Sequence, residues 1–212
     1  MSIPPAPPAP EPQPPAARTR PGSVTTAVWL QILLALFLIA QSVAGILYGA
    51  DAQAAAEDEL AAQGHAMSDL PQGTTFESTG ATAYAPIGIA VLIIVLALLN
   101  GAGKRPARVI TWVVQPIVLV CGGFIAVSQL FIAQFLEAGI EAEGGLDGLD
   151  VQALVDAVAG AYPAWTDIAS YGALALATLG SIAVIILLAV PSANAYFRKE
   201  EPQTFIPGAP PV

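Results

Sequence analysis

One histidine, one cysteine and sixteen carboxylates are the side chains from which this chain could build a reactive or metal-binding centre. His65 has no second histidine and no cysteine near it in sequence, so the three or four nitrogen and sulfur ligands of a zinc site cannot be assembled around it. Cys121 falls in the middle of an apolar run, which places its thiol within the membrane, buried, unpaired and without the polar surroundings that would activate it. The densest acidic stretch, Glu141-Ala-Glu143-Gly-Gly-Leu-Asp147-Gly-Leu-Asp150, offers carboxylates and flexible glycines of the kind hard cations use. It lacks the alternating D-x-D-x-D-G spacing of a calcium-binding loop. Neither a phosphate-cradling G-x-x-x-x-G-K-[ST] nor a G-x-S-x-G elbow occurs, and seven basic residues are too few for a nucleic-acid surface. The sequence therefore predicts no enzyme, and it nominates no catalytic, cofactor-binding or metal-binding residue.

What could hold any other polar site is a membrane. Hydrophobic residues make up 55% of the chain and charged ones 11%, beyond what a soluble domain of this size needs. Roughly 20 apolar residues in a helix cross a bilayer core of about 30 Å, and only a helix satisfies its own backbone there. Four runs qualify, at about 24–48, 81–100, 109–135 and 168–190. The first is followed by the small-x-small sequence Ala50-Asp51-Ala52, but it is longer than the 7–15 residues typical of a signal-peptide core and is expected to be retained. The third carries Pro116, Cys121 and Gly122-Gly123, where a bend is expected.

All seven bases fall in three clusters, Arg18/Arg20, Lys104/Arg105/Arg108 and Arg198/Lys199, each beside the end of an apolar run. Bases flanking spans stay on the cytoplasmic side, so the pattern predicts four crossings with both termini inside. The expected organisation is a Pro-rich tail at 1–22, a transmembrane domain at 23–192 and a second tail at 193–212. Outer loops at 49–80 and 136–167 and an inner loop at 101–108 join the spans. The acids segregate too, giving net +4 inside and −13 outside against −9 for the whole chain. The fold class is thus an all-α membrane protein, a four-helix transmembrane bundle in the plasma membrane with N-in/C-in topology.

Local order is expected in the outer loops. Ala52 to Gln63 is rich in strong helix formers and ends at Gly64, so the first helix should project beyond the bilayer. Asp150 can cap a short amphipathic helix before the fourth span, with Val151, Leu154, Val155 and Val158 on one face.

No ionisable residue lies in the centre of any run, which argues against a proton relay or ion-coupled pump. The polar groups there are Gln31, Gln41, Gln115, Ser128, Gln129, Gln134, Thr178 and Ser181, expected to hydrogen-bond between helices. Two small-residue stripes, Gly45/Gly49 and Ala169/Ala173/Ala177/Ser181, offer close helix packing, either within the chain or against a membrane-protein partner or second copy. The N-terminal tail, with nine prolines in its first twenty-one residues, favours polyproline II and can act as a spacer or as a ligand for a cytoplasmic partner.

The Pro/Ala-rich tail, four Ala/Val/Leu-rich spans, two Lys against five Arg and the exit Tyr196-Phe197-Arg198-Lys199 together resemble the uncharacterised four-span integral membrane proteins of high-GC actinobacteria. The resemblance covers the whole chain and implies a plasma-membrane location without an assigned activity. Two functions are compatible with these features. The favoured one is a non-enzymatic accessory or scaffold component of a cell-envelope complex. The other is a passive channel or transporter subunit whose acidic outer mouth attracts cations.

Overall fold

The computed structural model describes residues 19–198, so the tails beyond them, with Arg18 and Lys199, lie outside the described residues. Within that range the chain is helical and contains no strand. Helix α1 runs unbroken over Gly22–Ala62, α2 over Gly80–Gly101 and α3 over Arg105–Leu130. Two short helices follow, α4 at Ile132–Ala142 and α5 at Val151–Gly160. The last long helix starts as α6, Trp165–Ala175, passes through a π-helical stretch at Leu176–Gly180 and continues as α7, Ser181–Ala189. Val190 is extended, and Pro191 starts the terminal helix α8, Pro191–Phe197. Four of these helices are long and apolar enough to cross a membrane: Gly22–Ala62, Gly80–Gly101, Arg105–Leu130 and Trp165–Ala189.

The four form a square bundle in which α1 packs against α2 and the α6–α7 helix, and α3 closes the opposite corner against α7 and α2. Chain direction alternates, so one end collects Arg20, Lys104, Arg105, Arg108 and Arg198 and the other collects the loops that carry the carboxylates. These are called the basic and the acidic end below.

At 41 residues, α1 extends about 60 Å at 1.5 Å per residue, twice a bilayer core. It runs straight through Ala50-Asp51-Ala52 and stops where predicted. Gly64 adopts a positive φ of 84°, and the amides of Gly64 and His65 donate back to the carbonyls of Ala61 and Leu60, capping the helix end. The projecting part of α1 is the post around which a small cap forms. Ala56, Leu60, Leu70, Ile140 and Leu154 are buried together, with Met67, Phe76 and Val158 against them. The predicted amphipathic helix is α5: the Asp150 carboxylate accepts from the Ala153 amide at 3.0 Å, and Leu154 faces the cap interior while Gln152 and Asp156 stay exposed. Gln63 ties the ends of α1 and α5 together, accepting from the Asp150 amide at 2.6 Å and donating to the Glu59 carboxylate at 2.7 Å.

One local expectation is corrected. The third run was expected to be one helix to residue 135; α3 instead passes Pro116 and Gly122-Gly123 and breaks at Phe131, whose φ of −120° and ψ of 28° separate it from α4. Gly122 serves close contact: a Cβ there would lie 2.6 Å from the Ala177 Cβ. Cys121 is on the perimeter of α3, the spanning helix with the least of its surface covered by its neighbours.

Candidate functional site

The interior of the bundle is layered along its axis, and two of the layers are polar. Near the basic end every spanning helix contributes to one hydrogen-bonded chain. Asn100, in the last turn of α2, donates through Nδ2 to Thr111 Oγ1 at 2.8 Å and to Gln31 Oε1 at 3.4 Å. Gln31 Nε2 donates across the bundle diagonal to Gln115 Oε1 at 3.5 Å, and Gln115 Nε2 donates to Ser181 Oγ at 2.8 Å. None of the five side chains is more than 1% exposed. A buried amide without a partner is costly, so the chain of donors and acceptors specifies the register of all four helices at once.

Why these residues meet is legible locally. Thr111 and Gln115 are four apart and so share a face of α3. The turn between α2 and α3 is short because Gly103, with φ of 71°, caps α2 through the Gly103 and Lys104 amides, which bond the Asn100 and Leu99 carbonyls. That turn brings Thr111 back beside Asn100. It is also clamped from outside, where the Tyr196 hydroxyl donates to the Gly101 carbonyl at 2.8 Å. Arg108 hydrogen-bonds Asn194 and lies over the rings of Trp112 and Phe197, at 4.7 and 5.2 Å from their centroids.

An apolar layer follows: Leu34, Ala35, Ala90, Ile93 and Ala177 are buried together, with Val118 and Leu176 against them. Beyond it, at the acidic end, the helices leave a cavity of about 450 Å³. From the helices it receives Gln41 and Ser42 of α1, Thr82 of α2, Gln129 of α3, and Thr166, Asp167 and Ser170 of α6. Ser78 and Tyr162 reach it from the loops. Ser42 is only 7% exposed, and its hydroxyl has no hydrogen-bond partner. Tyr162 stands edge-on to Tyr48 with ring centroids 6.4 Å apart, and burial raises the pKa of its phenol.

The sequence-derived polar residues thus divide. Gln31, Gln115 and Ser181 make the interhelical bonds expected of them. Gln41 and Gln129 line the cavity instead, and Thr178 turns its hydroxyl back to the Leu174 carbonyl of its own helix at 2.8 Å. Asn100 and Thr111 were missed, Asn100 because it ends its apolar run and Thr111 because it sits in the first turns of α3; the four-residue spacing of Thr111 and Gln115 was the available signal. Both small-residue stripes are filled from within the chain. Cβ atoms at Gly45 and Gly49 would come within 2.7 and 3.0 Å of Ser78, so the glycines seat the first loop. Ala169, Ala173, Ala177 and Ser181 are buried in the bundle. Among the described residues no three His, Cys, Asp or Glu side chains are grouped so as to hold a metal ion.

Compared with protein-family models, curated proteins and solved structures, the chain matches none of them.

Proposed function

We propose that this protein is a non-enzymatic accessory component of a cell-envelope complex, seated in the plasma membrane with both termini in the cytoplasm. The observation that carries this reading is the layered interior. A conducting path needs continuous polar or wettable lining. Here the amides of Gln31, Asn100 and Gln115 bond one another, Thr111 and Ser181, with Asn100 Oδ1 left buried and unpartnered, and the layer of Leu34 and Ile93 separates them from the cavity at the acidic end. A recess backed by that apolar layer supports a binding and presenting role over transport.

Folded structure beyond the bundle is concentrated in the cap, whose surface carries Glu57, Asp58, Glu141, Glu143, Asp147 and Asp156. With both small-residue stripes occupied inside the chain, contact with envelope partners falls to this acidic surface and, inside the cell, to the Pro-rich tail. The clustering of bases at the opposite end supports the cytoplasmic placement of that end.

Reconstitution tests the reading. Proteoliposomes containing the full chain are expected to leak monovalent cations no faster than protein-free vesicles. Cation flux that disappears when Asp51, Glu57, Asp58 and Glu59 are changed to their amides would establish the channel reading in its place. In whole cells, a cysteine substituted for Gly103 in a Cys121→Ser background should react with a membrane-impermeant maleimide only after lysis. Labelling of intact cells would invert the topology.

A further inference from the structure

We infer that the cavity at the acidic end is a binding site for a small hydroxylated ammonium compound, a site that holds whether or not the cap recruits a partner. Size sets the class first. A volume of about 450 Å³ lies in the range of small-molecule sites, and is the space of about fifteen waters at ~30 Å³ each. That is far more than a bare ion fills, and the wall offers one carboxylate where a hard cation takes several charged oxygens.

Charge narrows the class further. Asp167 is the one ionisable carboxylate in the lining, no lysine or arginine shares the wall, and the described bases are gathered at the far end of the bundle. The Asp167 carboxylate has no hydrogen-bond or ion-pair partner among the described residues. An anion would be repelled by it and by the carboxylates of the cap. Asp167 is itself exposed, and a neutral occupant that covered it would strip water from the carboxylate without supplying a compensating charge. A single positive charge matches it, and the adjacent Tyr162, held by Tyr48, adds an aromatic ring of the kind that receives ammonium groups.

The remaining lining specifies hydroxyls. Gln41 and Gln129, from α1 and α3, lie in the wall with Thr82 and Ser170, while the Ser42 hydroxyl is sealed behind it without a partner. The carboxamides of Gln41 and Gln129 each offer both a donor and an acceptor to further hydroxyls. One carboxylate with several neutral hydrogen-bonding groups is the complement of a monocation bearing hydroxyls.

Glucosamine and glucose differ by the amine and are the probes. The full-length protein is placed in phosphatidylglycerol nanodiscs and titrated calorimetrically at mildly acidic pH, where the amine is protonated. Glucosamine is expected to bind at least about tenfold more tightly than glucose, as a charge-assisted contact requires. Asp167→Asn should abolish that preference, and Gln41→Leu should weaken glucosamine several-fold while keeping the preference. Equal affinity for the two sugars, or no heat from glucosamine at millimolar concentrations, overturns the proposal without reference to any variant. Repeating the titration with phosphatidylethanolamine in the discs separates two sources of the same chemistry: competition makes a headgroup amine the occupant, and an unchanged isotherm makes it a soluble compound.

Discussion

The two ends of the bundle are built from the same side chains and do opposite things with them. At the basic end, glutamine, asparagine, threonine and serine meet one another and are sealed from solvent. At the acidic end, glutamines, serines and threonines stand around a cavity of about 450 Å³ and largely fail to meet. The difference follows from how the backbones approach. Gly103 folds α2 tightly onto α3 at the basic end, and in the apolar layer Gly122 lets α3 press against Ala177, so the bundle is drawn together up to that layer. Toward the acidic end α3 stops at Phe131, while α1 continues upward with α5 and the first loop around it. Polarity in a membrane helix therefore does not announce its role; the distance to the next helix decides whether it serves as glue or as lining.

The strongest challenge to that contrast is to remove the centre of the packed end. Gln115→Leu keeps the volume but leaves Gln31 Nε2 and Ser181 Oγ without partners, and should cost about 2–3 kcal/mol of unfolding free energy in detergent. Adding Gln31→Leu should restore part of the loss, since replacing both partners of a buried bond with apolar groups can approach neutrality. A double variant less stable than Gln115→Leu by a further full increment would mean that the network holds the helices by more than mutual satisfaction.

Much of this architecture could be read from the chain itself. Length and apolar composition identify the four spans, Gly64 ends α1, and Asp150 caps α5 with Leu154 turned inward. Those features are local: a helix cap or a periodic face is written within a few consecutive residues. The polar core was half legible, because Gln31 and Gln115 stand out in apolar surroundings while Asn100 gains its meaning only from a turn that sets it beside Thr111. The cavity was not legible at all. It exists because four separate stretches of chain, 41–45, 78–86, Gln129 and 159–170, fail to fill a space, and no short-range pattern records a gap. The break at Phe131 was hidden for a related reason, since the apolar run passes through it without interruption.

Two serines give the sharpest comparison. Ser181 at the basic end accepts from Gln115 at 2.8 Å, whereas Ser42 at the acidic end has a buried hydroxyl and no partner. Ser181→Ala should lower stability by about 1 kcal/mol, because it orphans the Gln115 amide. Ser42→Ala removes an unsatisfied group and should leave stability unchanged or raise it by up to about 1 kcal/mol. Thermal unfolding of the two variants in the same detergent reads both signs. If both variants lose stability equally, Ser42 has a partner in the membrane-embedded protein and the two ends differ less than their geometry implies.

The smallest effect concerns Tyr162, whose phenol titrates above its ordinary value near 10 because burial disfavours the phenolate. A raised folded-state pKa means that the folded protein holds the proton more tightly than the unfolded chain does. The contribution to stability is therefore complete below the ordinary tyrosine pKa and is lost as pH rises through the folded value. Unfolding midpoints measured at increasing alkaline pH should fall more steeply for the wild-type protein than for Tyr162→Phe, which has no phenol at that position to ionise. Tyr162 is in edge contact with Tyr48 at the rim of the cavity, so the difference between the two curves reports on the acidic end. Adding Gln115→Leu should shift both curves downward without changing the difference between them. A change in that difference would show that the open end senses the packed one through the apolar layer between them.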